Sequence, residues 1–180
     1  MRFVPVGLEG AYLIELDRRE DERGFFARTW CRETFLEQGL NAELSQCSIS
    51  RTADAGTLRG MHFQRAPHEE AKLIRCTRGA VFDAIIDLRP DSPTHMAWFG
   101  ARLTAEEGTA LYAPEGFAHG FQTLTDDAEV LYMISHPYMP EAAAGVRWDD
   151  PAFAIEWPEA VRRTMNERDR TWPDYRVPDG

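Results

Sequence analysis

The sequence predicts an all-β protein, a sandwich or barrel of short strands with a few short peripheral helices. Three observations carry this prediction. From Ser45 onward, strand-like runs follow one another with turn residues between them. In the run Ala80 to Arg89, Phe82, Ala84, Ile86 and Leu88 fall on one face and Asp83, Asp87 and Arg89 on the other, which is the period of a strand. Only two stretches, Arg32–Gln38 and Pro158–Asp169, have helical character.

In chain order, Asp21-Glu22-Arg23-Gly24 reads as a polar turn leading into a bulky strand-like segment, Phe25–Trp30. Arg32 to Gln38 is expected to form two helical turns, with Gly39 as the C-terminal stop. Lys72–Thr77 and Ala80–Arg89 are strands joined at the turn Arg78-Gly79. Further strands are expected over Met96–Leu103, Ala110–Ala113, Gly120–Thr123 and Glu129–His136. Pro158 to Asp169 closes the series as a helix, with a proline near its start and Glu159 in its first turn. No repeat, low-complexity tract or linker interrupts the chain, so residues 1–180 are expected to form one domain, with the segment of about 158–175 closing its site.

Apolar residues make up 43% and charged residues 28%, a composition that can bury a core. Lys and Arg number 20 against 30 Asp and Glu, a formal net charge of −10, which argues against non-specific binding to nucleic acid or to an anionic membrane. A local cluster of Arg can still hold an anionic small ligand. The three cysteines, Cys31, Cys47 and Cys76, are widely spaced and include no CxxC pair, so neither a disulfide framework nor a cysteine zinc site is expected. A reduced, cytoplasmic setting follows. Met1 to Gly10 lacks the apolar core of a signal peptide, and no run reaches the ~18 apolar residues of a membrane span.

The pattern Gly108-x5-Pro114-x-Gly116-x2-His119 resembles the second motif of the cupin jelly roll, a turn that aims one histidine into the barrel. Upstream, Leu58-Arg59-Gly60-Met61-His62-Phe63-Gln64 offers a facing strand in which His62 and Gln64 share a side. A metal set would draw on His62, Gln64, Glu69 or Glu70, and His119, but an amide is a weak neutral donor where a divalent ion prefers imidazole and carboxylate. The other use of a barrel histidine is as a general base oriented by a carboxylate. Lys72 and Tyr132 sit on strand faces with apolar neighbours, where burial costs free energy unless something pairs with them. The plainer readings are a core tyrosine with its hydroxyl satisfied and an edge lysine with its ammonium in water.

Seven words occur together in order: Asp21-Glu22-Arg23-Gly24-Phe25-Phe26, Leu58 to Gln64, Lys72-Leu73-Ile74-Arg75, Gly116 to Phe121, Trp148-Asp149-Asp150-Pro151, Ile155-Glu156-Trp157-Pro158 and Glu167-Arg168-Asp169. Over about residues 3 to 175 the chain resembles the dTDP-4-dehydrorhamnose 3,5-epimerase family. The resemblance implies a cupin-type jelly roll, a homodimer whose N-terminal strands cross to the partner, no metal or other cofactor, and action on a dTDP-linked 4-keto-6-deoxyhexose. By the same resemblance His62 is the base, Asp169 its carboxylate partner and Tyr132 the acid on the opposite face of the sugar. Lys72 is then the cation near the C4 oxygen, where negative charge develops, and it is expected to favour phenolate on Tyr132. Arg59 and His119 match pocket residues that hold sugar and diphosphate. Arg23 matches a nucleotide-binding Arg, Arg168 a diphosphate contact, Tyr138 the aromatic that stacks on thymine, and Gln46 a Gln at the pocket mouth. For Arg23, Arg168 and Tyr138 the plainer reading is a solvated side chain.

Three positions depart from the family pattern: Arg28 and Ala143 stand where it has Glu, and Cys47-Ser48 where it has Asp-Asn. All three fall on recognition, while the proton-transfer residues are intact. Inversion at C3, at C5 or at both therefore stays open, as does the identity of the nucleotide sugar. A metal-dependent cupin and a sugar-binding cupin without catalysis are the competing classes.

Overall fold

Thirteen strands and two short helices make up the computed structural model, which describes residues 1–177; the last three residues of the expected domain lie outside the described residues. Six strands form one antiparallel sheet in the order β1 (Arg2–Pro5), β2 (Tyr12–Glu15), β10 (Ala110–Ala113), β7 (Lys72–Arg78), β12 (Ala128–Ile134) and β5 (Gln46–Thr52). Five form the second, in the order β13 (Ala143–Gly145), β6 (Leu58–Gln64), β11 (Phe117–Thr123), β8 (Ala80–Asp87) and β9 (Trp98–Thr104). A separate hairpin pairs β3 (Arg19–Asp21) with β4 (Gly24–Phe26), and the helices are α1 (Arg32–Glu37) and α2 (Glu167–Arg170). This is the β-sandwich that the strand spacing predicts, in the jelly-roll form that the family resemblance implies.

Three apolar layers hold it together. Ile74, Cys76, Val81, Ile85, Leu103, Leu111, Phe121 and Val130 pack between the sheets. Phe35 and Leu40 cover Ile14, Leu73, Ala110 and Tyr112 on the outer face of the six-stranded sheet. Phe153, with Trp157 and Tyr175 against it, covers Ala84 and Ile86 on the outer face of the other. Central strands are thus covered on both sides, which is why Ala71 to Cys76 is buried without a break. The alternation read in β8 holds, but the face carrying Asp83 is the interior one, shared with Val81 and Ile85, and Asp83 and Asp87 are fully buried. Asp87 accepts hydrogen bonds from Arg89, Ser92 and Thr94, which outweigh the upward push of burial and hold its carboxyl at about 2.

The core strands match the sequence reading within a few residues; the periphery does not. The strand expected over Phe25–Trp30 stops at Phe26, because this hairpin joins neither sheet. Trp30 instead turns back onto Phe35. α1 ends where expected: Gly39 adopts φ +72°, and the amides of Gly39 and Leu40 return to the carbonyls of Leu36 and Phe35. So short a helix is not stable alone, and burial of Phe35 holds it.

The helix expected from Pro158 to Asp169 is only its last turn, α2, capped by the Asn166 side chain on the Asp169 amide at 2.6 Å. Upstream, the backbone is spent elsewhere. Thr164 donates to Gly56 and accepts from Leu58, and the Pro158 carbonyl accepts from Gln122 and Arg163. Tertiary partners of this kind override a helical pattern.

Candidate active site

β6 is the strand on which the site is built. In its ladder with β11, His119 faces His62 and Phe121 faces Arg59, so two residues of β11 span three of β6. This bulge brings Arg59 and His62, an odd spacing apart, into the same cavity. Gly60 makes it possible: it has φ +140°, and a Cβ there would lie 2.5 Å from the Gly120 Cα. Its amide donates to Asp169 Oδ2 at 3.1 Å, which ties the bulge to α2.

Between the sheets' open ends lies a cavity of about 400 Å³. On its β6 wall His62 Nε2 is 2.7 Å from Asp169 Oδ1; the His62 side chain is 44% exposed and the carboxylate 1%. Burial pushes the Asp169 carboxyl up, but the His62 hydrogen bond and charge, the Gly60 amide and Arg168 outweigh it and leave it below the ordinary carboxylate value. Deeper in, His119 on β11 places Nε2 2.9 Å from Asp83, both buried, and its ring lies edge-on to Tyr132 with centroids 5.8 Å apart.

The opposite wall comes from the six-stranded sheet. Tyr132 on β12 and Ser50 of β5 line it. Burial, reinforced by Asp83, pushes the Tyr132 phenol far up against the smaller pulls of Arg59 and Ser50. The expectation that Lys72 would favour phenolate is therefore corrected: burial and Asp83 favour the neutral phenol. Lys72, at the start of β7, is no edge residue; it is buried, paired with Glu70 at 2.8 Å, and donates to the His62 carbonyl at 3.1 Å.

Of the ten residues that the resemblance gives catalytic or binding roles, the cavity gathers His62, Tyr132, Asp169, Lys72, Arg59, His119, Tyr138 and Arg168. Arg168 projects from α2 and stacks on Trp172. Two residues are not part of the wall. Gln46 accepts from the Tyr138 amide at 2.8 Å and so positions that aromatic rather than lining the cavity. Arg23 sits exposed at the tip of the β3–β4 hairpin, paired with its neighbour Asp21. The residues weighed as a metal set are engaged elsewhere: His62 with Asp169, His119 with Asp83, and Gln64 with the backbone of His68, Pro137 and Met139. Among the described residues, no three His, Cys, Asp or Glu gather as a metal cluster. Sequence reasoning missed Asp83, whose signal was a carboxylate in register with Val81 and Ile85. It also missed Phe63, Phe121 and Asn166 of the lining.

The family model described as dTDP-4-dehydrorhamnose 3,5-epimerase matches residues 5–176. A dTDP-4-dehydrorhamnose 3,5-epimerase of Methanothermobacter thermautotrophicus is 42% identical, over 97% of this chain and 95% of its own. The crystal structure of the Elizabethkingia anophelis enzyme of that name superposes with a TM-score of 0.94 at 36% identity, covering 97% of this chain and 96% of that one. That of the Bacillus anthracis enzyme, with TDP and PPi bound, gives a TM-score of 0.92 at 36% identity, covering 97% and 99%. With motifs, fold and relatives in agreement over nearly the whole length, this chain belongs to the dTDP-4-dehydrorhamnose 3,5-epimerase family.

Proposed function

We propose that the protein epimerises a dTDP-linked 4-keto-6-deoxyhexose at C3 and C5, without a cofactor, by moving protons across the sugar ring. The observation that carries this reading is the placement of a carboxylate-oriented imidazole and a neutral phenol on opposite sheets around one cavity. His62 takes the proton from a carbon next to the ketone, and Asp169 fixes the ring and stabilises the imidazolium that forms. The electron pair moves onto the C4 oxygen, where Lys72 meets the growing negative charge. Tyr132 returns a proton to the other face, inverting the carbon. Exchange with solvent then restores the imidazole and the phenol. Arg59 and His119 hold the sugar and diphosphate, Arg168 the diphosphate, and Tyr138, steadied by Gln46, stacks on the base. The segment of about 158–175 closes the site.

The working unit in this reading is a homodimer. Phe25, Phe26 and Ile49 of the edge strand β5 are all more than half exposed, and the hairpin β3–β4 joins neither sheet. A crossing of the N-terminal strands would deliver Arg23 to a second copy's cavity. The setting is cytoplasmic, supported by three free cysteines; among the described residues no helix is long and apolar enough to cross a membrane.

Proton NMR with dTDP-4-keto-6-deoxyglucose in D2O tests the activity. Deuterium is expected at both C3 and C5; entry at one carbon would make this a single-site epimerase, and none would overturn the reading. Tyr132→Phe should keep deuterium entry yet yield little inverted product, and unchanged inversion would remove Tyr132 as the acid.

A further inference from the structure

Lys72 is the only lysine in the chain; the other nineteen of its 20 Lys and Arg residues are Arg. Wherever else a cation is present the sequence supplies a guanidinium, so the ammonium kept inside the cavity meets a need that Arg does not. A guanidinium is a broad planar fork, whereas an ammonium is a compact charge with three N–H donors on a flexible stem. Flexibility is a handicap for a group that must face one oxygen atom. Glu70 removes it.

Glu70 and Lys72, two residues apart, fall on the same side of the extended chain and both line the cavity. The segment between them is clamped, since Ala71 donates to Ser135 Oγ at 2.8 Å and Ser135 donates to the Ala71 carbonyl at 3.0 Å. Lys72 Nζ is ion-paired with Glu70 Oε1 at 2.8 Å and donates to the His62 carbonyl at 3.1 Å; with these two groups against it, the ammonium keeps a third N–H for the cavity. Arg59, His62, His119, Tyr132, Arg168 and Asp169 share that space, yet among the described residues only Glu70 is ion-paired with Lys72. Both residues are more than nine-tenths buried, and the second Glu70 oxygen is buried without a partner. A buried ion pair with one oxygen unused adds little stability over an apolar pair of similar volume, so its presence points to a task.

We propose that Glu70 is a positioning residue, fixing the Lys72 ammonium so that its third N–H faces the carbonyl oxygen of a bound ketosugar as that oxygen becomes an enolate, a role that presupposes the epimerase activity above. Because Lys72 carries the only ε-amine, reductive methylation with formaldehyde and cyanoborohydride followed by peptide mass mapping reports on it without substrate. Glu70→Gln keeps the shape and removes the charge. Methylation of Lys72 should then speed up about tenfold, and kcat should fall at least about tenfold with KM within about threefold. Glu70→Asp, which keeps the charge, should restore slow methylation, and it stands in should the Gln variant not fold. On a Lys72→Met background, Glu70→Gln should cost nothing further. Unchanged methylation would overturn the pairing. Faster methylation with unchanged kcat, or additive losses in the double variant, would overturn the role in turnover. A wild-type protein inert toward the ketosugar would instead sink the epimerase reading, with the methylation rates still judging the pair.

Discussion

His62 and His119 face each other directly across the β6–β11 ladder, and each has a carboxylate against its Nε2. There the likeness ends. Asp83, partner of His119, stands on the neighbouring strand β8, so both members belong to the frame of the sandwich and are buried. Asp169, partner of His62, arrives from a single helical turn 107 residues away, and the imidazole it holds remains open to the cavity. One pair is set into the architecture; the other is assembled on it. A base must meet a substrate proton and later release it to solvent, and only the open pair has access to both.

The largest effect expected from this contrast is at His62. His62→Ala should lower kcat by about 10³-fold or more and abolish solvent exchange at both α-carbons, with nucleotide affinity nearly unchanged by calorimetry. Turnover near wild type would refute the base assignment. Asp169→Asn comes next, at about 10²-fold in kcat, because the imidazole loses the charge that orients it. This substitution also has a pH signature. The Asp169 carboxyl lies below its ordinary value in the folded protein, so its contribution to stability is complete above the ordinary carboxylate range and lost as pH falls through the lower folded value. Acid unfolding followed by circular dichroism should therefore be less steep in Asp169→Asn; an identical acid limb would mean that the carboxylate carries no such linkage.

The buried pair should respond in the opposite proportion. Asp83→Asn leaves the buried His119 against a neutral amide, which costs about 3 kcal/mol, or about 6–12 °C in Tm for a chain of this size. Its kcat should fall less than about tenfold, since no proton passes through it. Loss of turnover as deep as that of His62→Ala, with Tm unchanged, would merge the two pairs into one machine.

How much of this was legible in the sequence follows the same division. Strands that pack on both faces, such as Lys72–Arg78 and Ala80–Asp87, announce themselves by period and burial, and the sequence reading placed them within a residue or two. The bulge at Gly60 did not, because an extra residue in a ladder depends on the partner strand and leaves no period of its own. Asp83 was visible only as one of two acids on a strand face, and which face turns inward depends on what covers the outer one, here Phe153 and Trp157. That His62, Lys72 and Asp169 share one cavity was readable because the short words that hold them keep their order along the chain. Arg23 and Gln46 were placed by the family resemblance alone, and neither lines the cavity of a single chain.

The smallest expected effect tests how the open pair is held. α2 has four residues, too few to be stable alone, and Asn166 satisfies the amide of Asp169 itself. Asn166→Ala removes that cap, at about 1 kcal/mol. The loss is local to one peripheral turn, so global Tm should barely move, while a less constrained Asp169 should lower kcat about three- to fivefold. Asn166→Asp caps as well as Asn and should restore turnover. If Asn166→Ala turns over as fast as wild type, the hydrogen bonds from His62 and Gly60 alone suffice to seat Asp169, and the assembled pair is as firmly fixed as the buried one.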